Sequence, residues 1–203
     1  MPSQIPLPLN RPSSRNGTRI ILGNANQSAY NALLNFKDWP FNTAILTGPR
    51  RGGKSLLGSW AETQGITVID RAECWDESEL FHRWNRVQEI GVPLLLISNS
   101  QPWEIKLADL RSRLVGSLHL EISLPDDEMA KHLIEAIAEQ LGLILADGAS
   151  DYLVPRVERS FMSIEKLVFA IDQLSLERQV PATMSLWRAA LELIGGPDQE
   201  RLI

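Results

Sequence analysis

Residues 43–55 read TAILTGPRRGGKS, and this stretch decides the fold. Thr43 to Thr47 is a short apolar run of strand length. Gly48-Pro49-Arg50-Arg51-Gly52-Gly53-Lys54-Ser55 follows and matches the pattern G-x-x-x-x-G-K-[ST]. A loop that wraps a phosphate must turn several backbone N–H groups inward, and glycine permits the dihedrals this needs. Lys54 to Gln64 reads as helix, so a helix N-terminus presents its positive end to the same phosphate. Lys54 is spaced to reach the β- and γ-phosphates, and the Ser55 hydroxyl to join a Mg²⁺ shell. The residues from Gly48 to Ser55 are therefore the candidate nucleotide-binding set. The bland alternative is a glycine-rich turn without a ligand. Arg50 and Arg51 are unusual inside such a loop. They can add charge for a phosphate, touch a partner, or simply stand in solvent.

Outward from the loop, strand and helix patterns alternate. Asn26 to Phe36 has helical spacing and stops at Trp39-Pro40. Ile66 to Asp70 and Leu94 to Ser98 read as further strands, and Leu118 to Ile122 as a fourth. Asp76 is placed to cap a helix that ends near Gly91, with Glu79 as its capping-box partner. Ala108 to Leu114 is a short helix. This alternation predicts βαβ units and a parallel sheet. After Pro125 the strand signals stop, and 126–141, 147–157, 163–178 and 183–194 all read as helices. The expected architecture is α/β. It comprises an extended tail over 1–16, a P-loop base domain over 17–124 and a helical lid over 125–203.

Composition narrows the function. With 25 acidic and 20 basic side chains among 203 residues, the formal net charge is -5. Coating DNA or RNA relies on phosphate neutralisation by Lys and Arg, so direct nucleic-acid binding is not expected. The single cysteine, Cys74, rules out an intramolecular disulfide and disfavours a cysteine zinc site. His82, His119 and His132 are scattered without metal-ligand spacing. The N-terminus has no leader-like pattern, and no apolar run approaches the ~20 residues of a membrane span. A soluble, cytoplasmic protein is expected.

A P-loop hydrolase also needs acid at the end of a second strand, one carboxylate for the magnesium shell and a neighbour to activate water. Ile66-Thr67-Val68-Ile69-Asp70-Arg71 offers Asp70 for the metal, with Ser55 as its partner. Arg71 stands where the usual base would be, and the aim of Glu73 is open. The third strand ends Ser98-Asn99-Ser100, which puts Asn99 where a γ-phosphate sensor would sit.

These pieces resemble the DnaA branch of the AAA+ ATPases. The resemblance rests on the P-loop, the polar end of the third strand, Leu107-Ala108-Asp109-Leu110-Arg111-Ser112-Arg113-Leu114, and Pro125-Asp126 at the lid entry. It covers roughly residues 19 to 195. It implies that Arg113 is an arginine finger reaching into a neighbouring subunit's nucleotide. An ordinary helix-surface arginine is the plain alternative. The leading Gln4-Ile5-Pro6-Leu7-Pro8-Leu9 is similar to the peptide with which Hda-type regulators bind the replicative sliding clamp. Gln4, Ile5, Leu7 and Leu9 are then the candidate clamp contacts. The chain also ends soon after the lid, where an initiator would continue into a DNA-binding domain.

Together these features imply an Hda-type regulator that inactivates the initiator DnaA. Its expected cofactors are ADP or ATP with Mg²⁺, and its expected partners are DnaA and the clamp. DNA would be touched only indirectly and no membrane at all, while a homodimer is left open. Two departures from the family pattern stand out. One strand–helix unit between the P-loop helix and the Asp70 strand is missing. Glu165 occupies the lid position of a nucleotide-sensing arginine, with Arg159 and Lys166 as candidate substitutes. Weak turnover of its own is expected. The alternatives are a stand-alone P-loop NTPase and a DNA-engaging initiator or helicase loader.

Overall fold

The computed structural model describes residues 20–195, so the tail candidates Gln4, Ile5, Leu7 and Leu9 lie outside the described residues. Strands β1 (Thr43–Thr47), β2 (Thr67–Ile69), β3 (Leu94–Ile97) and β4 (Leu118–Glu121) form one parallel sheet in the order β2-β3-β1-β4. The P-loop strand is therefore central. Alternation along the strands splits the core into two faces. Ala44, Leu46, Leu95, Ile97 and Leu120 face helices α1 (Gln27–Leu34) and α2 (Lys54–Thr63). Ile45, Ile69, Leu94 and Leu96 face α3 (Glu77–Ile90) and α4 (Ala108–Val115). Both faces are covered at the central strands β1 and β3, which is why these two read as continuous apolar runs, while edge strand β4 alternates, with His119 and Glu121 exposed.

Helix ends follow local chemistry. The Asp76 carboxylate accepts the N–H groups of Ser78 at 2.9 Å and Glu79 at 3.0 Å, and α3 ends at left-handed Gly91. The expected return bond from Glu79 is not made. Glu77 instead turns its carboxylate to the N–H groups of Lys106 and Leu107, just before α4. α5 (Asp127–Leu141) starts at Asp126, which accepts from Met129 N–H at 2.8 Å, and stops at left-handed Gly142.

The helical half contains α5, α6 (Ala149–Leu153), α7 (Phe161–Arg178) and α8 (Met184–Ile194), with a core around Ile134, Ile164, Leu167, Ile171 and Trp187. The helix expected over 147–157 is shorter than its pattern. It closes at Leu153 and tightens into a 3-10 turn over Val154–Arg156, because Pro155 supplies no N–H for a continuing helix. The helix expected to reach Phe36 likewise ends at Leu34, and a 3-10 turn over Phe36–Asp38 follows. The remaining differences are confined to strand and helix termini. Among the described residues, no helix is long and apolar enough to cross a membrane.

Candidate nucleotide-binding site

The candidate loop leaves the end of β1 and closes on the first turn of α2. Gly48 has φ +144°, and a Cβ there would come within 2.7 Å of the Ile122 carbonyl, so the loop lies directly on the end of β4. Gly53 has φ +82° at the N-cap of α2, a left-handed position that glycine takes without strain. Arg51 takes a left-handed backbone too, at φ +64°.

Lys54 is buried. Its ammonium donates to the Gly48 carbonyl at 2.7 Å and the Pro49 carbonyl at 2.8 Å. Desolvation holds its pKa below the ordinary lysine range, while the nearby Asp70 and Glu73 carboxylates act the other way. The Ser55 hydroxyl donates to Asp70 Oδ2 at 2.6 Å, and Asp70 Oδ1 also accepts from Arg71 N–H at 2.8 Å. The two candidate magnesium residues are thus in contact, across the ends of β1 and β2. They offer oxygen ligands that leave most of a hexacoordinate shell to phosphate and water, as Mg²⁺ prefers. Among the described residues no group of three or more His, Cys, Asp or Glu gathers as a metal cage.

Asn99 follows β3, the strand between β1 and β2. Its amide donates to Glu73 Oε1 at 3.3 Å. The other carboxylate oxygen of Glu73 is shut off from solvent without a hydrogen-bond partner. The structure therefore answers where Glu73 points: toward the polar end of β3 and within electrostatic range of Lys54.

A cavity of about 180 Å³ opens beside the loop. Ile20, Ile21, Met129, Leu133 and Phe161 give it apolar walls, and Arg51, Gly52 and Gly53 form its phosphate side. Buried Asn26 pins the Ile20–Gly23 wall, donating to the Ile21 carbonyl at 2.8 Å and accepting from Gly23 N–H at 3.0 Å. An apolar slot next to a phosphate loop fits a flat base joined to phosphates. None of these wall residues stands out in the sequence. The Ile20–Leu22 run is the one visible trace, because the wall forms only when α5 and α7 fold over the base domain.

The other candidates fall elsewhere. Arg113 is exposed on α4 and lines neither this cavity nor the adjoining groove, and its guanidinium lies 5.1 Å from the centroid of the Trp84 ring. Arg159 pairs with Asp127 at 2.8 Å and lines neither the cavity nor the groove. Arg50 and Lys166 line the groove outside the loop. Glu165 meets Arg51 directly, Nε to Oε2 at 2.9 Å.

No protein-family model matches the chain. An uncharacterised protein of Haemophilus influenzae is 32% identical over 124 residues, which cover 58% of this chain and 53% of that protein. The chromosomal replication initiator protein DnaA of Roseiflexus castenholzii is 25% identical over 129 residues, covering 62% of this chain and 27% of DnaA. The chain thus spans about half the length of the first relative and about a quarter of the second. Among solved structures, domain III of Thermotoga maritima DnaA superposes with a TM-score of 0.70 at 16% identity, covering 88% of this chain and 95% of that domain. AMPPCP-bound DnaA from Aquifex aeolicus gives a TM-score of 0.60 at 20% identity, covering 79% of this chain and 66% of that one. The fold is that of a P-loop AAA+ domain of the DnaA type, with a shortened parallel sheet and a helical C-terminal lid.

Proposed function

We propose that this chain is a nucleotide-binding regulator of replication initiation that acts on DnaA. In this reading ADP or ATP with Mg²⁺ occupies the loop from Gly48 to Ser55, its base in the slot beside Ile20 and Met129. Gln4, Ile5, Leu7 and Leu9 dock on the sliding clamp. Arg113 enters the nucleotide site of DnaA and stabilises charge on the γ-phosphate oxygens as water adds and ADP leaves. DnaA is thereby returned to its ADP form, and initiation is held down.

The observation that carries the reading is the placement of Arg113. It stands exposed on α4, outside the cavities beside its own P-loop, which suits a residue that works on another molecule. Nucleotide binding is supported by the buried Lys54, the Ser55–Asp70 contact and the AMPPCP bound to the Aquifex relative.

The test is ATP hydrolysis by DnaA in the presence of DNA-loaded clamp and this protein. Arginine fingers contribute about 10³–10⁵-fold in other NTPases, so Arg113→Ala should reduce stimulation to background. Clamp capture should persist in that variant and be lost when Gln4 and Leu7 become Ala. Full stimulation by Arg113→Ala would reject the finger.

A second reading is favoured by Glu73. Its carboxylate meets Asn99 beside the Lys54 loop, three residues beyond Asp70, where it can replace the missing base of the strand end. The chain would then hydrolyse ATP by itself.

A further inference from the structure

The Arg51–Glu165 contact is, among the described residues, the one ion pair that joins the P-loop to the helical half. The other two, Lys131–Asp151 and Arg159–Asp127, lie within that half. The pair also has a defined place between two cavities. Arg51 and Glu165 line the 180 Å³ slot, and both line a groove of about 1150 Å³ that runs along α7 to the end of α8. They are the residues common to the two linings, so the pair forms the wall between them.

The chemistry of this wall is competitive. Arg51 stands in a loop whose backbone is shaped for phosphate, and a guanidinium binds phosphate in the same forked manner as carboxylate. A phosphate in the loop presents more negative charge to it than Glu165 does. Arg51 cannot satisfy both with the same N–H groups. Once it turns to the phosphate, Glu165 loses its partner, and the first turns of α7 lose their tie to the loop. An arginine on the lid would have the opposite effect, drawing the lid onto the phosphate.

We propose that Arg51 and Glu165 form a latch between the P-loop and the lid, closed without nucleotide and opened by the nucleotide's phosphate. The proposal rests on the nucleotide-binding reading above and adds its direction: loading the site loosens α7 and opens the wall to the groove.

The test is a double-mutant cycle in the full chain, with Mg-ADP as the titrant. Glu165→Gln removes the competitor and should tighten binding by about two- to five-fold, the scale of a partly exposed ion pair. Arg51→Gln should weaken binding. In the Arg51→Gln background, Glu165→Gln should add nothing, because Glu165 acts through Arg51. An equal gain in both backgrounds would mean simple repulsion of the phosphate and would overturn the latch, as would no gain in either.

Hydrogen exchange gives an independent readout. Mg-ADP should speed exchange of the amides of residues 164–169 in the native chain, and Glu165→Gln should show that faster exchange without nucleotide. Protection of these amides by Mg-ADP would overturn the proposal. If Mg-ADP fails to bind the native chain, the nucleotide reading and the latch fall together. Binding without coupling removes the latch alone.

Discussion

Replacing Lys54 by Met tests the site at its centre. Lys54 is 5% exposed, and its ammonium serves two loop carbonyls at 2.7 and 2.8 Å. Methionine keeps an unbranched stem but removes the charge and both donations. Each charged hydrogen bond lost costs about 1.5–3 kcal/mol, while removing a buried charge returns several kcal/mol of desolvation. The opposing sizes leave a net change in ligand-free stability of no more than about 2 kcal/mol. The ligand-linked change is larger and one-sided. Mg-ADP at a hundred times its Kd stabilises a binding protein by about 2.7 kcal/mol. For a chain of this size 1 kcal/mol shifts Tm by about 2–4 °C, so the native protein should gain about 5–11 °C and Lys54→Met close to none. Differential scanning calorimetry with and without Mg-ADP reads this directly. A variant that keeps the full rise would refute the assignment of Lys54 to a phosphate.

The same experiment has a pH arm. Burial holds the folded-state pKa of Lys54 below the ordinary value of 10.5, against the pull of Asp70 and Glu73. Keeping this amine charged therefore opposes folding below its folded pKa. Ligand-free stability should rise as pH climbs from that value toward 10.5, where the unfolded chain loses the proton too. Phosphate needs the charged form, so Mg-ADP affinity should fall over the same alkaline window. The alkaline rise in ligand-free stability should be absent from Lys54→Met, which has no amine to titrate.

Two further predictions address other parts of the site. Glu73→Gln should lower intrinsic Mg-ATP turnover by about 10²–10⁴-fold, the usual contribution of a general base, with Mg-ADP affinity changed less than twofold. Equal turnover in the two chains would reject Glu73 as the base. Glu77→Ala should speed hydrogen exchange at Lys106 and Leu107, whose N–H groups its carboxylate accepts. Those bonds hold the Glu77 carboxyl below the usual glutamate range, so in the native chain the tie persists above that range and is lost as pH falls through the lowered pKa. Unchanged protection in Glu77→Ala would show that the segment before α4 is held by other contacts.

The sequence disclosed what depends on local chemistry. The P-loop, the Asp76 cap and the apolar runs of β1 and β3 each follow from a few adjacent residues and appear where their patterns place them, although the return bond expected from Glu79 is not made. What stayed hidden depends on chain segments far apart in sequence. The apolar slot beside the loop draws on Ile20, Met129 and Phe161, which no spacing rule connects. Arg51 and Glu165 lie in different halves, and each looks anomalous alone: an extra charge in the loop and a wrong charge on the lid. Only their 2.9 Å contact turns two anomalies into one feature.

The strand order shows how the shortened sheet still brings the candidate phosphate-site residues together. In the order β2-β3-β1-β4, the loop after β1, Asn99 after β3 and Asp70 after β2 come from three neighbouring strands. The chain passes from β1 to β2 over the place that β3 later fills, so the crevice for a ligand opens between β1 and the strands that follow it. β2 stands at one edge of the sheet. That strand is three residues long and is followed by left-handed Arg71, which leaves little unpaired ladder for another chain to extend. The residue in that left-handed position, Arg71, directly follows Asp70. The turn it makes carries the chain to Glu73, whose carboxylate then faces Asn99. The turn at Arg71 thus both closes the short edge strand and sets the direction in which the Glu73 carboxylate leaves it.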